Sequence, residues 1–246
     1  MTFSDDEIER YARHLVLAEV GGPGQQRLKA ARVGLIGLGG VGAPAALYLA
    51  AAGVGTLRLI DDDTVALSNH QRQIAFDAAD LGRPKVEAGA AVLTALNPHV
   101  RIEPVAERLT GVNADRLIEG CGVVIDGTDD FETRFAVNAA CVAGGIPLVS
   151  GALGRWSGQV GVFTGRPCYR CLAPAAPPGV ETCARVGVIG ALAGVVGSMT
   201  ALEAIKLIVG AGAPLAGRLL IYDGLAGTAR TVRIVADPDC PVCAGG

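Results

Sequence analysis

Val33-Gly-Leu-Ile-Gly-Leu-Gly-Gly-Val-Gly42 decides the fold. An apolar strand, Val33 to Ile36, runs into the glycine turn Gly37-Leu-Gly-Gly-Val-Gly42 and then into a helix expected over about Val41 to Ala52. In such a turn Gly37 permits the tight bend, Gly39 and Gly40 let backbone approach a phosphate, and Gly42 lets helix and strand pack closely. The helix N-terminal amides favour the negative charge. A second strand, Thr56 to Ile60, ends at Asp61, with Asp63 just beyond. About twenty residues after the glycine turn is where a carboxylate accepts from ribose hydroxyls. These features predict an adenosine-containing ligand and leave NAD and ATP both open.

The polar run Ser68-Asn-His-Gln-Arg-Gln73 and Lys85 bear on that choice. Hydride transfer has no use for cations beside the phosphates, whereas nucleotidyl transfer must neutralise charge that develops on pyrophosphate. Arg72 and Lys85 meet that need, with Asn69 and Gln73 as polar neighbours; ordinary solvated cations are the alternative. The next strand leads into Asp126-Gly-Thr-Asp-Asp130, at the carboxyl edge of a sheet where open α/β folds bind ligands. Magnesium takes one or two protein carboxylates plus phosphate oxygens, which makes Asp129 its candidate ligand. Capping of the following helix by Asp129 or Asp130 is the competing use.

The alternation of strands and helices continues: a helix opened by Pro84 at its first position and running to about Leu96, strand Val100 to Val105, helix Ala114 to Glu119 and strand Gly122 to Ile125. Upstream, Ser4 and Glu7 read as a capping box starting a helix that carries Arg10, Tyr11 and Arg13, and a short helical piece covers Gln25 to Ala30. After Pro147 the pattern turns to strands, Leu148 to Ala152, Gln159 to Thr164, Leu219 to Tyr222 and Thr231 to Val235. The expected fold is α/β, a Rossmann-like, doubly wound and largely parallel sheet with an antiparallel C-terminal extension. The whole chain, residues 1–246, is read as one unit: an N-terminal helical arm (1–30), a nucleotide-binding half (31–150) and a second half (151–246).

Half of the 246 residues are hydrophobic and only 4% are aromatic, so the core is built from small aliphatic side chains. A net charge of -3 offers no basic footprint, which argues against nucleic acid as a partner. The acidic, polar N-terminus lacks the pattern of a secretory signal, so a reducing cytoplasm is expected. Val186 to Leu202 is uncharged but short of a spanning helix, and no membrane association is expected. Gly187, Gly190, Gly194 and Gly197 recur at three- and four-residue steps and are expected to make one bare helix face.

Cys168-Tyr-Arg-Cys171 and Cys240-Pro-Val-Cys243 are two C-x-x-C pairs. Four thiolates suit a closed tetrahedral zinc site, a clip that ties the last residues to a mid-chain loop. Cys121 and Cys141 lie in apolar settings and read as core residues. Cys183 follows a Pro-rich loop and precedes the Gly-rich helix, and is either a thiol for covalent sulfur transfer or an incidental loop residue.

Taken together, Arg10-Tyr-x-Arg13, the glycine turn, Asp61-x-Asp63, Leu67-Ser-Asn-x-Gln-Arg-Gln73, Lys85, Thr128-Asp129 and the two cysteine pairs resemble the ThiF/MoeB/HesA family of sulfur-carrier adenylyltransferases, bacterial relatives of ubiquitin-activating enzymes. The resemblance covers essentially the whole chain. It implies ATP-dependent adenylylation of the C-terminal glycine carboxylate of a ubiquitin-like sulfur carrier, of the kind serving thiamine or molybdopterin synthesis, with release of pyrophosphate. By similarity Asp61 holds the ribose, while Arg72, Lys85, Asn69, Gln73 and magnesium on Asp129 meet the phosphates. Arg13 reaches as an arginine finger into a neighbouring subunit's site, which makes a homodimer part of the mechanism. The second half bears the carrier-binding surface and the zinc.

Two residues depart from the family's wording: His70 stands where Leu is usual, and Asp130 where Asn is usual. Pro44-Ala-Ala-Leu-Tyr-Leu49, Gly53-Val-Gly-Thr-Leu57 and Leu67-Ser-Asn69 read closer to the thiamine branch, ThiF, than to MoeB, the alternative. No rhodanese-like segment follows Gly246, so the sulfur donor, a cysteine desulfurase or rhodanese-like protein, is expected to be separate. The Gly245-Gly246 ending imitates a carrier tail but directly follows a cysteine pair, and is taken as coincidence. An NAD-dependent dehydrogenase would leave Arg72, Lys85 and Asp129 without a shared task. A scaffold that pairs through the glycine-faced helix would turn over no ATP.

Overall fold

Each apolar run of the first half becomes a strand whose C-terminal end points at the same edge. In a computed structural model that describes residues 2–176 and 187–244, these are β1 (Arg32–Ile36), β2 (Thr56–Ile60), β3 (Arg101–Val105) and β4 (Val123–Asp126), followed by β5 (Leu148–Gly154). Their connections are helical: α4 (Gly42–Ala51), α5 (Lys85–Leu96), α6 (Ala114–Ile118) and α7 (Phe131–Gly144). Strands β6 (Ser157–Phe163), β7 (Arg218–Asp223) and β8 (Thr228–Arg233) complete an eight-stranded sheet in the order β3-β2-β1-β4-β5-β6-β7-β8. The pairs from β3 through β5 are parallel and those from β5 through β8 antiparallel, so the expected largely parallel sheet with an antiparallel extension is the one observed. Strand β8 closes that end of the sheet with all six residues, Thr-Ala-Arg-Thr-Val-Arg, exposed.

Two apolar layers fill the faces of the sheet. One packs α4, α5 and the long helix α9 (Gly190–Val209) against β1, β2, β5 and β6. The other packs α6, α7 and the single turn α8 (Tyr169–Leu172) against β4, β7 and the start of β5. Helix α9 is the one helix among the described residues long and apolar enough to cross a membrane, and half of its most apolar window is buried inside the fold. Its buried Glu203 accepts from the Leu215 amide at 2.7 Å and from Lys206 at 2.6 Å.

The N-terminal arm comprises α1 (Asp5–Arg10), α2 (Ala12–Leu15) and α3 (Gly21–Ala30). The Ser4–Glu7 capping box is present. The single first helix expected through Arg13 is instead broken at Tyr11, whose ring is buried at 3% exposure and whose hydroxyl accepts from Asn97 at 2.9 Å. Anchoring that ring overrides continuation of the helix. Pro84 caps α5 from outside instead of occupying its first position, and its extended backbone pairs with Thr64.

The bare glycine face of α9 is only partly realised. Gly187 lies outside the helix in a left-handed conformation, at φ 72°. Gly190 abuts the Gln71 carbonyl so closely that no side chain fits. At Gly197 a methyl group would meet the Val41 carbonyl at 2.6 Å, whereas one at Gly194 would find nothing within 4 Å. Gly197→Ala is therefore expected to lower stability by about 1–3 kcal/mol through overpacking, and Gly194→Ala to raise it by about 0.5–1 kcal/mol through helix propensity. Denaturant midpoints of the two variants, moving in opposite directions, check both.

Candidate active site

The glycine turn joins β1 to α4 at the carboxyl edge. Gly37 takes φ 83°, and a side chain on Gly42 would begin inside the Gly37 carbonyl oxygen. Gly37 and Gly127 donate to the carbonyls of Ile60 and Ile36, both at 2.9 Å, which stitches the ends of β1, β2 and β4 together. Beneath the turn lies a cavity of about 390 Å³ lined by Gly37, Gly39 and Gly40, by Asp61 and Asp63, by Asn69, Arg72, Gln73 and Lys85, and by Asp129. Every residue expected from the sequence to hold the nucleotide in its own subunit thus lines one cavity, save Gly42, which stands behind the turn.

Asp61 spans the turn. Its carboxylate accepts from the Leu38 amide at 2.6 Å and the Asp63 amide at 2.8 Å. Burial pushes its pKa up, against the pull of the Lys85 ammonium and those two amides. A carboxylate offers about four lone-pair sites, so ribose hydroxyls still have acceptors there. Lys85 opens α5 with its ammonium 2.8 Å from Asp63, and that lysine side chain is 5% exposed while its partner's is 69% exposed. A buried cation thus sits at the cavity wall with its counter-charge facing solvent.

The polar run folds into a 3-10 turn (Leu67–Asn69) and a bend against the glycine turn. Asn69 caps that turn by accepting from the Ala66 amide at 3.1 Å. Arg72 donates to the Ser68 carbonyl at 3.0 Å and its stem passes over Gly40. Gln73 is 3% exposed, and its Oε1 is buried with no hydrogen-bond partner among the described residues. An orphaned buried acceptor in a cavity wall fits a site completed by a bound group. His70 has its Nε2 in the same state but does not line the cavity.

Asp130, not Asp129, caps α7, accepting from the Thr133 amide at 2.7 Å. Asp129 is exposed at the rim with no hydrogen bond or ion pair among the described residues, which leaves its oxygens open. Arg108 reaches Asp130 at 3.5 Å across the mouth. Below, a buried network missed by sequence reasoning forms the floor. Arg134 binds Asp126 at 3.0 Å, Ser150 at 2.8 Å and the carbonyl of Gly151 at 2.9 Å, and also the Thr128 carbonyl. Burial pulls the guanidinium pKa down, but Asp126, Tyr169 and Asp129 together outweigh it and raise it above the usual value.

Arg13 is exposed on α2 and does not line the cavity of its own chain. Cys183 lies outside the described residues. The two C-x-x-C pairs come together: the four sulfurs of Cys168, Cys171, Cys240 and Cys243 lie within 4.8 Å of one another. Cys168 and Cys240 are 3.6 Å apart, Cys171 and Cys243 3.5 Å. That spacing, too long for disulfides, fits four ligands around one cation. Cys121 and Cys141 are buried in the core, and burial pushes the Cys141 thiol up to about 12.

Relatives are numerous and cover the chain from end to end. A SAMP-activating enzyme E1 from Haloferax volcanii is 48% identical over 100% of this chain and 93% of its own length. A sulfur carrier protein adenylyltransferase from Thermus thermophilus is 44% identical over 99% of this chain and 93% of its own. A molybdopterin-synthase adenylyltransferase from Escherichia coli is 44% identical over 98% of each. None of these three names refers to thiamine. Among solved structures, E. coli MccB with AMPCPP and MccA superposes with a TM-score of 0.86 at 20% identity, over 99% of this chain and 75% of that one, a likeness of fold. A sequence profile described as the ThiF family matches residues 11–242, and the chain belongs to that family.

Proposed function

We propose that the protein is an adenylyltransferase that uses ATP to activate the C-terminal glycine carboxylate of a ubiquitin-like sulfur carrier with a Gly-Gly tail, releasing pyrophosphate. The observation that carries this reading is the convergence of Lys85, Arg72, Gln73 and Asp129 on one cavity beneath the glycine turn. A dehydrogenase would need none of the four. The relatives' names, an adenylyltransferase for a sulfur carrier and one for molybdopterin synthase, support the same class of reaction. They favour a carrier of the sulfur-carrier or molybdopterin type over a thiamine-specific one.

In this reading the carrier carboxylate attacks the α-phosphate and forms a mixed anhydride with AMP, converting a poor leaving oxygen into one that sulfur displaces. Negative charge grows on the departing β- and γ-phosphates. Lys85 exchanges Asp63 for those oxygens, Arg72 moves from the Ser68 carbonyl towards them, and Gln73 and Asn69 complete the cradle. Asp61 orients the ribose. Asp129 would hold magnesium, which would supply neutralisation of the growing phosphate charge. Asp130, bound up in capping α7, keeps that helix start in place.

The four cysteines have the donor set of a structural zinc site, closed to substrate because every ligand is sulfur. Arg13, exposed and away from its own cavity, acts in a partner subunit's site within a homodimer. Cys183 is the thiol that handles sulfur delivered by a separate donor, a cysteine desulfurase or rhodanese-like protein. A cytoplasmic enzyme of one 246-residue unit accords with this chemistry.

Asp129→Ala is expected to cut carrier-dependent ATP–pyrophosphate exchange by about 100-fold or more, while Asp130→Asn, which retains a capping oxygen, stays near wild type. Equal losses in both would reject the assignment of Asp129 to the metal. Neither Arg13→Ala nor Asp129→Ala has activity alone, yet mixed chains regain exchange through the one complete site a heterodimer forms; silence of the mixture speaks against a site shared between subunits. Cys183→Ala is expected to adenylate at the wild-type rate and to fail in passing sulfur to the carrier, as mass spectrometry of the carrier would read; undiminished handover removes the thiol from the mechanism.

A further inference from the structure

Helix α7 touches both sites. Asp130 caps it beside Asp129, Arg134 enters the cavity floor one turn later, and Asn138 reaches the cysteine cluster one turn beyond that. Residues four apart share a helix face, so these contacts lie along one line. Asn138 is fully buried. Its Oδ1 accepts from the Tyr169 amide at 2.7 Å and its Nδ2 donates to the Cys168 sulfur at 3.5 Å.

Tyr169 stands between the two sites. In the chain it follows Cys168; in space its ring lines the nucleotide cavity and lies 5.8 Å from the Arg134 guanidinium. Phe163 at 5.6 Å and Phe135 at 6.2 Å hold that ring from the sides, and Arg170 stacks on Phe135 at 4.2 Å. A continuous line of buried groups therefore runs from Cys168 through Asn138 and Tyr169 to Arg134, and from there to the carbonyls of Thr128 and Gly151 in the cavity wall.

We propose that Asn138 and Tyr169 are positioning residues through which a metal on the four cysteines sets the floor of the nucleotide cavity, so that metal and nucleotide favour each other's binding. The inference rests on the nucleotide site proposed above. A metal fixes the Cys168 sulfur, a fixed sulfur orients the Asn138 amide, and that amide holds the start of α8. The seating of Tyr169 then limits where the Arg134 guanidinium can lie. A cluster serving only as a chain clip would stabilise the fold equally whether or not nucleotide is bound.

The test uses the zinc-loaded full chain and ATP as probe. ATP affinity is measured by equilibrium dialysis before and after zinc removal, and zinc affinity by chelator competition with and without ATP. Linkage makes the two factors equal, and we expect about fivefold or more in wild type. In Asn138→Ala and Tyr169→Leu the factor falls to near one. Asn97→Ala, which empties a buried amide site in the opposite layer, keeps the wild-type factor and controls for general loosening. A factor near one in wild type, or an unchanged factor in both variants, overturns the proposal.

Should the zinc-free chain unfold, cobalt-loaded protein reads the link in the folded state. ATP is expected to shift the cobalt–thiolate absorption of wild type but not of Asn138→Ala, and an unshifted wild-type spectrum overturns the link. Absence of ATP binding to zinc-loaded wild type would refute the nucleotide site itself. Binding without coupling refutes only the connection.

Discussion

The near-contact of Gly42 with the Gly37 carbonyl is the constraint on which the edge of the sheet depends. Only a backbone without a side chain there lets α4 start directly over β1. That start sets Gly39, Gly40 and Val41 of the turn in the cavity wall, where a phosphate can approach bare backbone. It also lets the Asp61 carboxylate reach back to the Leu38 amide, so the acid at the end of β2 and the turn after β1 hold each other. Gly127 then closes the same edge from β4. The geometry of three strand ends thus follows from one missing β-carbon.

Around that edge, charge is arranged so that cations are kept dry and ready. Lys85 is buried with an exposed Asp63 as counter-ion, and Arg134 is buried with an unexposed Asp126. These pairings differ in consequence. A solvent-facing aspartate is easily left behind by its lysine when a stronger anion arrives, because water solvates the released carboxylate at little cost. Asp126 and Arg134 have no such exit, and breaking that pair would strand a buried charge. The first pair suits exchange during a reaction and the second suits a floor that holds still.

What could be read from the chain beforehand follows from how local each signal is. The glycine turn, the polar run, Lys85 and the Asp129 region each carry their meaning within a few residues and a strand–helix frame, and they fall on one cavity. The paired cysteines were legible for the same reason. Arg134, Ser150 and Tyr169 were not, since their roles arise only when α7, β5 and α8 are packed together and no short spacing announces that. The break at Tyr11 escaped for a related reason: its cause, Asn97, lies 86 residues away. Capping by Asp130 instead of Asp129 was a choice between neighbours that the helix start alone decides.

The outermost strand has a consequence for behaviour in concentrated solution. Among the described residues β8 has a neighbour on one side only, and such an edge offers a row of backbone groups to any passing extended chain, the usual seed of stacked aggregates. Arg230 and Arg233 point to opposite faces of that strand and both are exposed. A second molecule adding itself edge to edge would bring guanidinium groups together on either side. The same six residues that finish the sheet therefore discourage its growth into a fibril.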